Sequence, residues 1–284
     1  MKPPISYYGG KQQLSSIILK LIPQHKIYCE PFFGGGAIFF GKEPSPVEIV
    51  NDVNSELINF YEVIRDDFDS LAHEISLSLH SRASHRHASV IYENPDMFDR
   101  VKRAWAIWFL ATVSFGRKFN GGYGYDLSGK GNIYFDYNKQ RFIDEYAKRL
   151  NRVQIENCDA LRVIKSRDSE ETFFYIDPPY VNSYMGHYDG YTQSDFDELL
   201  DVLCNIKGKF LLSSYRNKSL ESCVAKKNLH SVEITLRCSM TTNCDNRHNK
   251  TEVLTANYPI EENIAVKDYM SLNIKSEQKL TTLF

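Results

Sequence analysis

Short apolar runs alternate with amphipathic helical patterns along most of this chain, and the alternation decides the fold class. "KIYCE" (26–30) predicts a strand running into a glycine loop, after which "AIFFGK" begins a helix. "PVEIVND" (46–52) predicts a second strand, ending in an acid, and "SELINFYEVIRDDF" a helix with apolar positions 57, 58, 61 and 64. "RVQIENCDA" (152–160) predicts another strand that ends in an acid. Then come "TFFYID", a helix near 193–204, the strand "KFLLSS" (209–214), a helix near 217–226, and the strands "HSVEITL" and "TEVLTANY". Strands alternating with helices predict an α/β domain with a mostly parallel sheet covered on both faces. The last two strands have no helix between them and are expected to form an antiparallel edge hairpin.

Residues 60–150 break this rhythm, being helical and polar without a comparable strand signal. Phe98, Val101, Trp105, Trp108, Thr112 and Phe115 recur at spacings of three and four, which predicts an amphipathic helix with both tryptophans in the core. "GRKFNGGYGYDLSGKGNIYF" follows, rich in glycine and aromatics, and reads as loop. The expected organisation is a catalytic domain of residues 1–60 and 151–262, a helical insertion at 61–150, and a tail at 263–284.

Composition changes this picture at one place. A net charge of −2 gives no global sign of a polyanionic partner, but residues 100–125 hold five Lys/Arg and no acid. The insertion therefore carries a local basic tip. "HSRASHRHAS" (80–89) has metal-like His spacing, but no carboxylate or cysteine joins it, so a solvated basic face is expected. The six cysteines are scattered, without C-x-x-C, and no apolar run approaches the roughly 18 residues of a membrane span. A reduced, cytoplasmic protein without a disulfide framework or metal is expected.

Ligands of open parallel sheets bind outside the carboxyl ends of the strands. Three strands deliver Asp52, Asp159 and Asp177 there, and a fourth delivers Glu30 at the head of "EPFFGGG". The glycine spacing fits neither G-x-G-x-x-G nor a P-loop. Several acids without a phosphate cradle suit a ligand with hydroxyls, an amine and a positive centre, as S-adenosylmethionine has. A nicotinamide cofactor fits less well, because Glu30 would repel its pyrophosphate.

"YIDPPY" (175–180) ends a buried strand in an acid, two prolines and a ring. An aromatic exocyclic amine such as adenine N6 needs two acceptors for its N–H bonds. Asp177 offers one, and the Pro178 carbonyl, held by the restricted backbone of Pro178 and Pro179, offers the second. Tyr180 offers a face for stacking, and a base within a duplex would have to flip out to reach it. An isolated D-P-P-Y serves equally as a strand-ending turn.

The surrounding pieces agree with the first reading. "YYGGK" (7–11), "EPFFGGGAIF" (30–39), "NDVNSELINFY" (51–61), "FNGGYGYDLSGKGN" (119–132), "YIDPPY" and "KTEVLTANY" (250–258) stand in the order found in Dam-like DNA adenine N6-methyltransferases. The chain resembles that family, of the D12 class and alpha group, from near residue 7 to about residue 258. The resemblance implies a Rossmann-like class I methyltransferase sheet and an enzyme that moves a methyl group from S-adenosylmethionine to a flipped adenine in double-stranded DNA. It implies that Tyr7 and Lys11 line the cofactor, that Phe32, Gly34 and Gly36 curve round it, and that Asp52 binds its ribose. Glu30 heads that loop, and Asp159 takes the place of the acid near the adenine. Asp177, Pro178, Pro179 and Tyr180 match the catalytic quartet. An RNA methyltransferase and a catalytically silent DNA-binding relative are the alternatives.

By the same resemblance the insertion recognises DNA. Phe119 and Asn120 match an aromatic-Asn-Gly element that enters the duplex, with Phe119 filling the gap left by the base and Arg117 and Lys118 on phosphates. Relatives that read GATC carry a bulky apolar residue and an arginine where this chain has Gly122 and Gly124, and a lysine where it has Ser6. Either another sequence is read, through Tyr123, Tyr125 or Arg117, or reading is permissive. The tail "SEQKLTTLF" (276–284) has the look of a peptide that docks in a sliding clamp.

Overall fold

A computed structural model describes residues 1–7, 9–125, 127–181, 190–236, 250–260 and 274–276. The chain order is α1 (Ser15–Leu21), β1 (Ile27–Glu30), α2 (Ala37–Gly41), β2 (Val47–Asn51), α3 (Ser55–Asp66), α4 (Phe68–Leu77), α5 (Arg82–Glu93), α6 (Arg100–Val113), α7 (Lys130–Gln140) and α8 (Glu145–Leu150). It continues with β3 (Val153–Glu156), α9 (Ala160–Arg167), β4 (Thr172–Ile176), α10 (Gln193–Leu203), β5 (Lys209–Ser214), α11 (Lys218–Lys227), β6 (His230–Leu236), β7 (Lys250–Ala256) and β8 (Ile274–Ser276).

The strands form one sheet in the order β3-β2-β1-β4-β5-β7-β6-β8. The first five run parallel, and β7, β6 and β8 join antiparallel. The expected α/β class is what the chain adopts, with one correction at the edge. The antiparallel pair β6 and β7 is interior, because β8, contributed by the expected tail, pairs outside β6. Residues 277–284, on which the clamp expectation rests, lie outside the described residues.

Alternate residues of the central strands feed two cores, as period-two geometry requires. Tyr28, Val50, Phe173, Tyr175 and Leu211 point to the face covered by α1, α2 and α3. Cys29, Ile49, Phe174, Ile176, Phe210 and Leu212 point to the face of α9, α10 and α11. All five residues of β4 are buried, which explains its unbroken apolar run.

The insertion shares the first of these cores. Trp108 and Phe109 of α6 belong to the same buried cluster as Phe60 of α3 and Tyr28 of β1. The boundary expected at residue 60 falls inside α3, which is capped by Asn54 accepting from the Glu56 and Leu57 amides. So the helical segment grows out of a catalytic-domain helix rather than from a linker. Phe115, expected on the buried stripe of α6, lies past the helix end and is exposed. The His-rich stretch forms most of α5, whose His85 does not lie on a solvated face but is buried against Ser114 Oγ at 3.0 Å. One cysteine pair departs from expectation: Cys204 and Cys223 meet sulfur to sulfur across α10 and α11, with Cα atoms 7.6 Å apart.

Candidate active site

The sheet reverses its winding between β1 and β4, and the loops leaving these strands meet at one edge. After β1, Gly34 takes φ +48°, and a Cβ there would approach the Tyr7 ring to 3.2 Å. The Gly34 amide donates to Asp52 Oδ2 at 2.9 Å, its carbonyl accepts from the Tyr61 hydroxyl at 2.8 Å, and Gly36 opens α2 in the left-handed region. Asp52 also accepts from the Asn54 amide at 2.9 Å, so this acid shapes the glycine loop as well as facing the cleft. Asn51, which the sequence reading passed over, ties the three strand ends together: it donates to the Pro31 and Cys158 carbonyls and accepts from the Cys158 amide.

Glu30 and Phe32 flank this loop, Phe32 half-buried against the second core. Glu30 is fully enclosed and accepts from the Tyr28 hydroxyl at 2.7 Å. Burial pushes its carboxyl up to about 8, against the lowering effect of that hydroxyl, so Glu30 is largely neutral at pH 7. A neutral Glu30 would repel a pyrophosphate less than the anion expected from the sequence. Asp159 is exposed and caps α9 through the Arg162 amide at 3.0 Å.

After β4 stands a cluster denser than the sequence suggested. Lys11 is buried, and its ammonium lies 2.7 Å from Asp177 Oδ1 and 4.8 Å from the centre of the Tyr180 ring. Lys11, expected to line the cofactor, thus also meets Asp177 and Tyr180. The Asp177 side chain is 19% exposed, while Pro178 and Pro179 are buried behind it. Burial raises the Asp177 carboxyl, with the Lys11 charge partly offsetting it. Burial works to lower the Lys11 ammonium, but Asp177 and then Glu252 outweigh it and hold it above its ordinary value. The Tyr180 hydroxyl donates to Glu252 Oε2 at 2.7 Å and reaches Asp177 Oδ1 at 3.4 Å, and the Tyr215 ring packs beside it at 4.2 Å. Glu252 sits in "KTEVLTANY" and was not singled out: a charge inside an apolar strand pattern is its only sequence signal.

The basic tip is organised differently from expectation. Phe119 is 1% exposed and packs edge-on to Tyr7 and obliquely on Tyr92, at 5.6 and 5.3 Å between ring centres. A ring so enclosed does not present itself to a duplex. The exposed aromatic of the same turn is Phe115, at 74%. Arg117 is engaged too: it donates to the Thr112 carbonyl and stacks on Tyr134 at 4.3 Å. Lys118 is half-buried and Asn120 is exposed. Tyr123 is half-buried between His85 and the Arg82 guanidinium, and its backbone bridges to Ser114, while Tyr125 is exposed. Ser6 pairs with the Tyr134 hydroxyl at 2.8 Å.

The two recognition glycines differ in kind. A Cβ on Gly124 would meet the Val113 carbonyl at 2.5 Å, whereas one on Gly122 meets nothing within 4 Å. Gly124→Ala is expected to lower stability by roughly 1–3 kcal/mol and Gly122→Ala to stay within about 0.5 kcal/mol, as read by urea unfolding. Equal effects would contradict the geometry.

A glycine loop, an acid after β2 and D-P-P-Y after β4, converging at the switch point of a doubly wound sheet, define a Rossmann-like group-transfer enzyme. The profile of the D12 class N6 adenine-specific DNA methyltransferases matches residues 7–237, and the chain belongs to this family. It is a DNA adenine methyltransferase, an enzyme type whose methyl donor is S-adenosylmethionine. The chain is 28% identical to a type II methyltransferase of Lactococcus lactis subsp. cremoris, over 91% of this chain and 96% of the relative. It is 30% identical to a type II methyltransferase of Methanocaldococcus jannaschii over 70% and 76% of the two chains, and 24% identical to the DNA adenine methylase of Escherichia coli over 90% and 95%. No described helix is long and apolar enough to cross a membrane.

Proposed function

We propose that this enzyme methylates N6 of an adenine flipped out of double-stranded DNA, in the cytoplasm, and that the edge formed by β1, β2 and β4 holds both reactants. The observation that carries this reading is Asp177, standing at the switch point beside the loop of Gly34. The donor set suits S-adenosylmethionine: the Tyr7 ring packs on the loop bent at Gly34, and the Asp52 carboxylate that takes the Gly34 and Asn54 amides is the kind of acceptor a ribose diol calls for. Phe32 and Gly36 would border it, Asp159 would lie toward its adenine, and Glu30 would gain charge on meeting a cation. When bound, this cofactor supplies an electrophilic methyl group.

The chain's own residues then orient the amine. Asp177 accepts one N–H bond of adenine and the Pro178 carbonyl the other, so that the nitrogen lone pair turns toward the methyl group. Lys11 keeps the Asp177 carboxylate charged until the amine arrives. Tyr180, backed by Tyr215, offers the stacking face. On the insertion, Asn120 and the exposed rings Phe115 and Tyr125 are candidates to meet a duplex, with Lys118 beside them, whereas Phe119 and Tyr123 pack into the turn.

The test is methyl transfer from labelled S-adenosylmethionine to unmethylated genomic DNA, with modified bases mapped. N6-methyladenine in one short motif supports a sequence-specific enzyme, and the mark on unrelated adenines a permissive one. Preference for a matched RNA in competition would defeat the DNA assignment.

A further inference from the structure

Glu252 lies on β7 and is 7% exposed, yet nothing in the roles above uses it. Strand pairing brings β7 against β5, so that Ser213 stands opposite Leu254 and Ser214 opposite Val253. Two hydroxyls converge on one oxygen of Glu252: Tyr180 donates to Oε2 at 2.7 Å and Ser213 at 3.3 Å. The separation from the Tyr180 hydroxyl to Asp177 is 3.4 Å, appreciably longer. The firmest hold on the phenol therefore comes from a distant strand, not from the acid of its own tetrapeptide.

We propose that Glu252 is the positioning residue of Tyr180, fixing the plane of the ring through its hydroxyl while the ring's face receives the target base. This inference rests on the function proposed above. The prolines fix the backbone ahead of Tyr180, but they leave the rotation of its side chain free. Lys11 above the ring and Tyr215 beside it limit that rotation, and neither holds the far end. Glu252 anchors that end to the sheet. Burial raises the Glu252 carboxyl, and the Lys11 charge and the Tyr180 and Ser213 hydroxyls offset this only in part. A buried acid tied to the catalytic ring from outside its motif fits a part of the site better than a part of the core.

The experiment is a double-mutant cycle on full-length protein, with Glu252→Ala, Glu252→Gln, Tyr180→Phe and the Glu252→Ala/Tyr180→Phe double variant. Turnover is measured together with emission of 2-aminopurine placed at the adenine mapped above, and thermal unfolding checks the fold. Glu252→Ala and Tyr180→Phe are each expected to lower turnover about 10- to 100-fold, with the double variant no worse than the worse single one. Glu252→Gln keeps an acceptor and should recover most of the loss. 2-Aminopurine should be quenched by the held ring in the wild type and brighter with Glu252→Ala. Additive losses, a Gln variant as poor as Ala, or full turnover with Ala would overturn the proposal. If Glu252→Ala does not fold, Tyr180→Phe decides alone: it removes the hydroxyl that Glu252 holds, and wild-type turnover with wild-type 2-aminopurine quenching in that variant would overturn the proposal. A wild-type protein that methylates no DNA would instead defeat the functional reading.

Discussion

Asp177→Ala is expected to lower methyl transfer roughly 10²- to 10⁴-fold while S-adenosylmethionine still binds. Two losses coincide. The amine loses its side-chain acceptor, and Lys11, only 6% exposed, loses the carboxylate 2.7 Å away. Leaving a buried cation unpaired should cost stability as well, on the order of a few kcal/mol. Asp177→Asn separates these effects, since it keeps the shape and one acceptor oxygen. The pH profile adds a signature. Burial raises the Asp177 carboxyl and Lys11 only partly offsets it, so the acid limb of single-turnover methylation should lie above the ordinary carboxylate range of about 3.9. Activity falls as pH drops through that raised value, and Asp177→Asn should remove the limb. Substantial turnover by Asp177→Ala would end the assignment.

A second large effect concerns stability. The Glu30 carboxyl is pushed up to about 8 by burial, the Tyr28 hydroxyl acting in the opposite sense. In the unfolded chain the same group titrates near 4.3. The folded state therefore holds a proton that the unfolded state has released over that interval. Stability from this group is complete below about 4.3 and is lost as pH rises through about 8. Glu30→Gln should abolish the trend, gaining on the wild type by an amount that grows to a few kcal/mol at the upper end. Urea unfolding of both proteins at pH 5, 6, 7 and 8 makes the comparison. Parallel curves would mean that Glu30 is no harder to ionise when folded.

Strand β4 was readable because burial on both faces favours an apolar run, Phe173–Ile176, behind a single buried Thr172. Chain-order motifs located Asp52 and Asp177 because each lies directly after a strand, where backbone geometry dictates side-chain placement. Other features depend on partners distant in sequence. Nothing near Phe119 announces that Tyr7 and Tyr92 will enclose it, and nothing near Phe115 announces that α6 ends one residue before its cap. The link from Tyr180 to Glu252 spans 72 residues and arises only when β7 pairs with β5. The edge strand β8 has three residues, too few for alternation to register.

Tyr7 touches two territories at once: its ring abuts Gly34 on one side and the edge of Phe119 on the other. On the function proposed above, this ring packs between the loop that would hold the cofactor and the turn that would meet DNA. Thermodynamic reciprocity then requires that a methyl donor which tightens the grip on a duplex be gripped more tightly by the same factor once the duplex is present. A single aromatic joint would so let the enzyme sense whether both of its reactants have arrived.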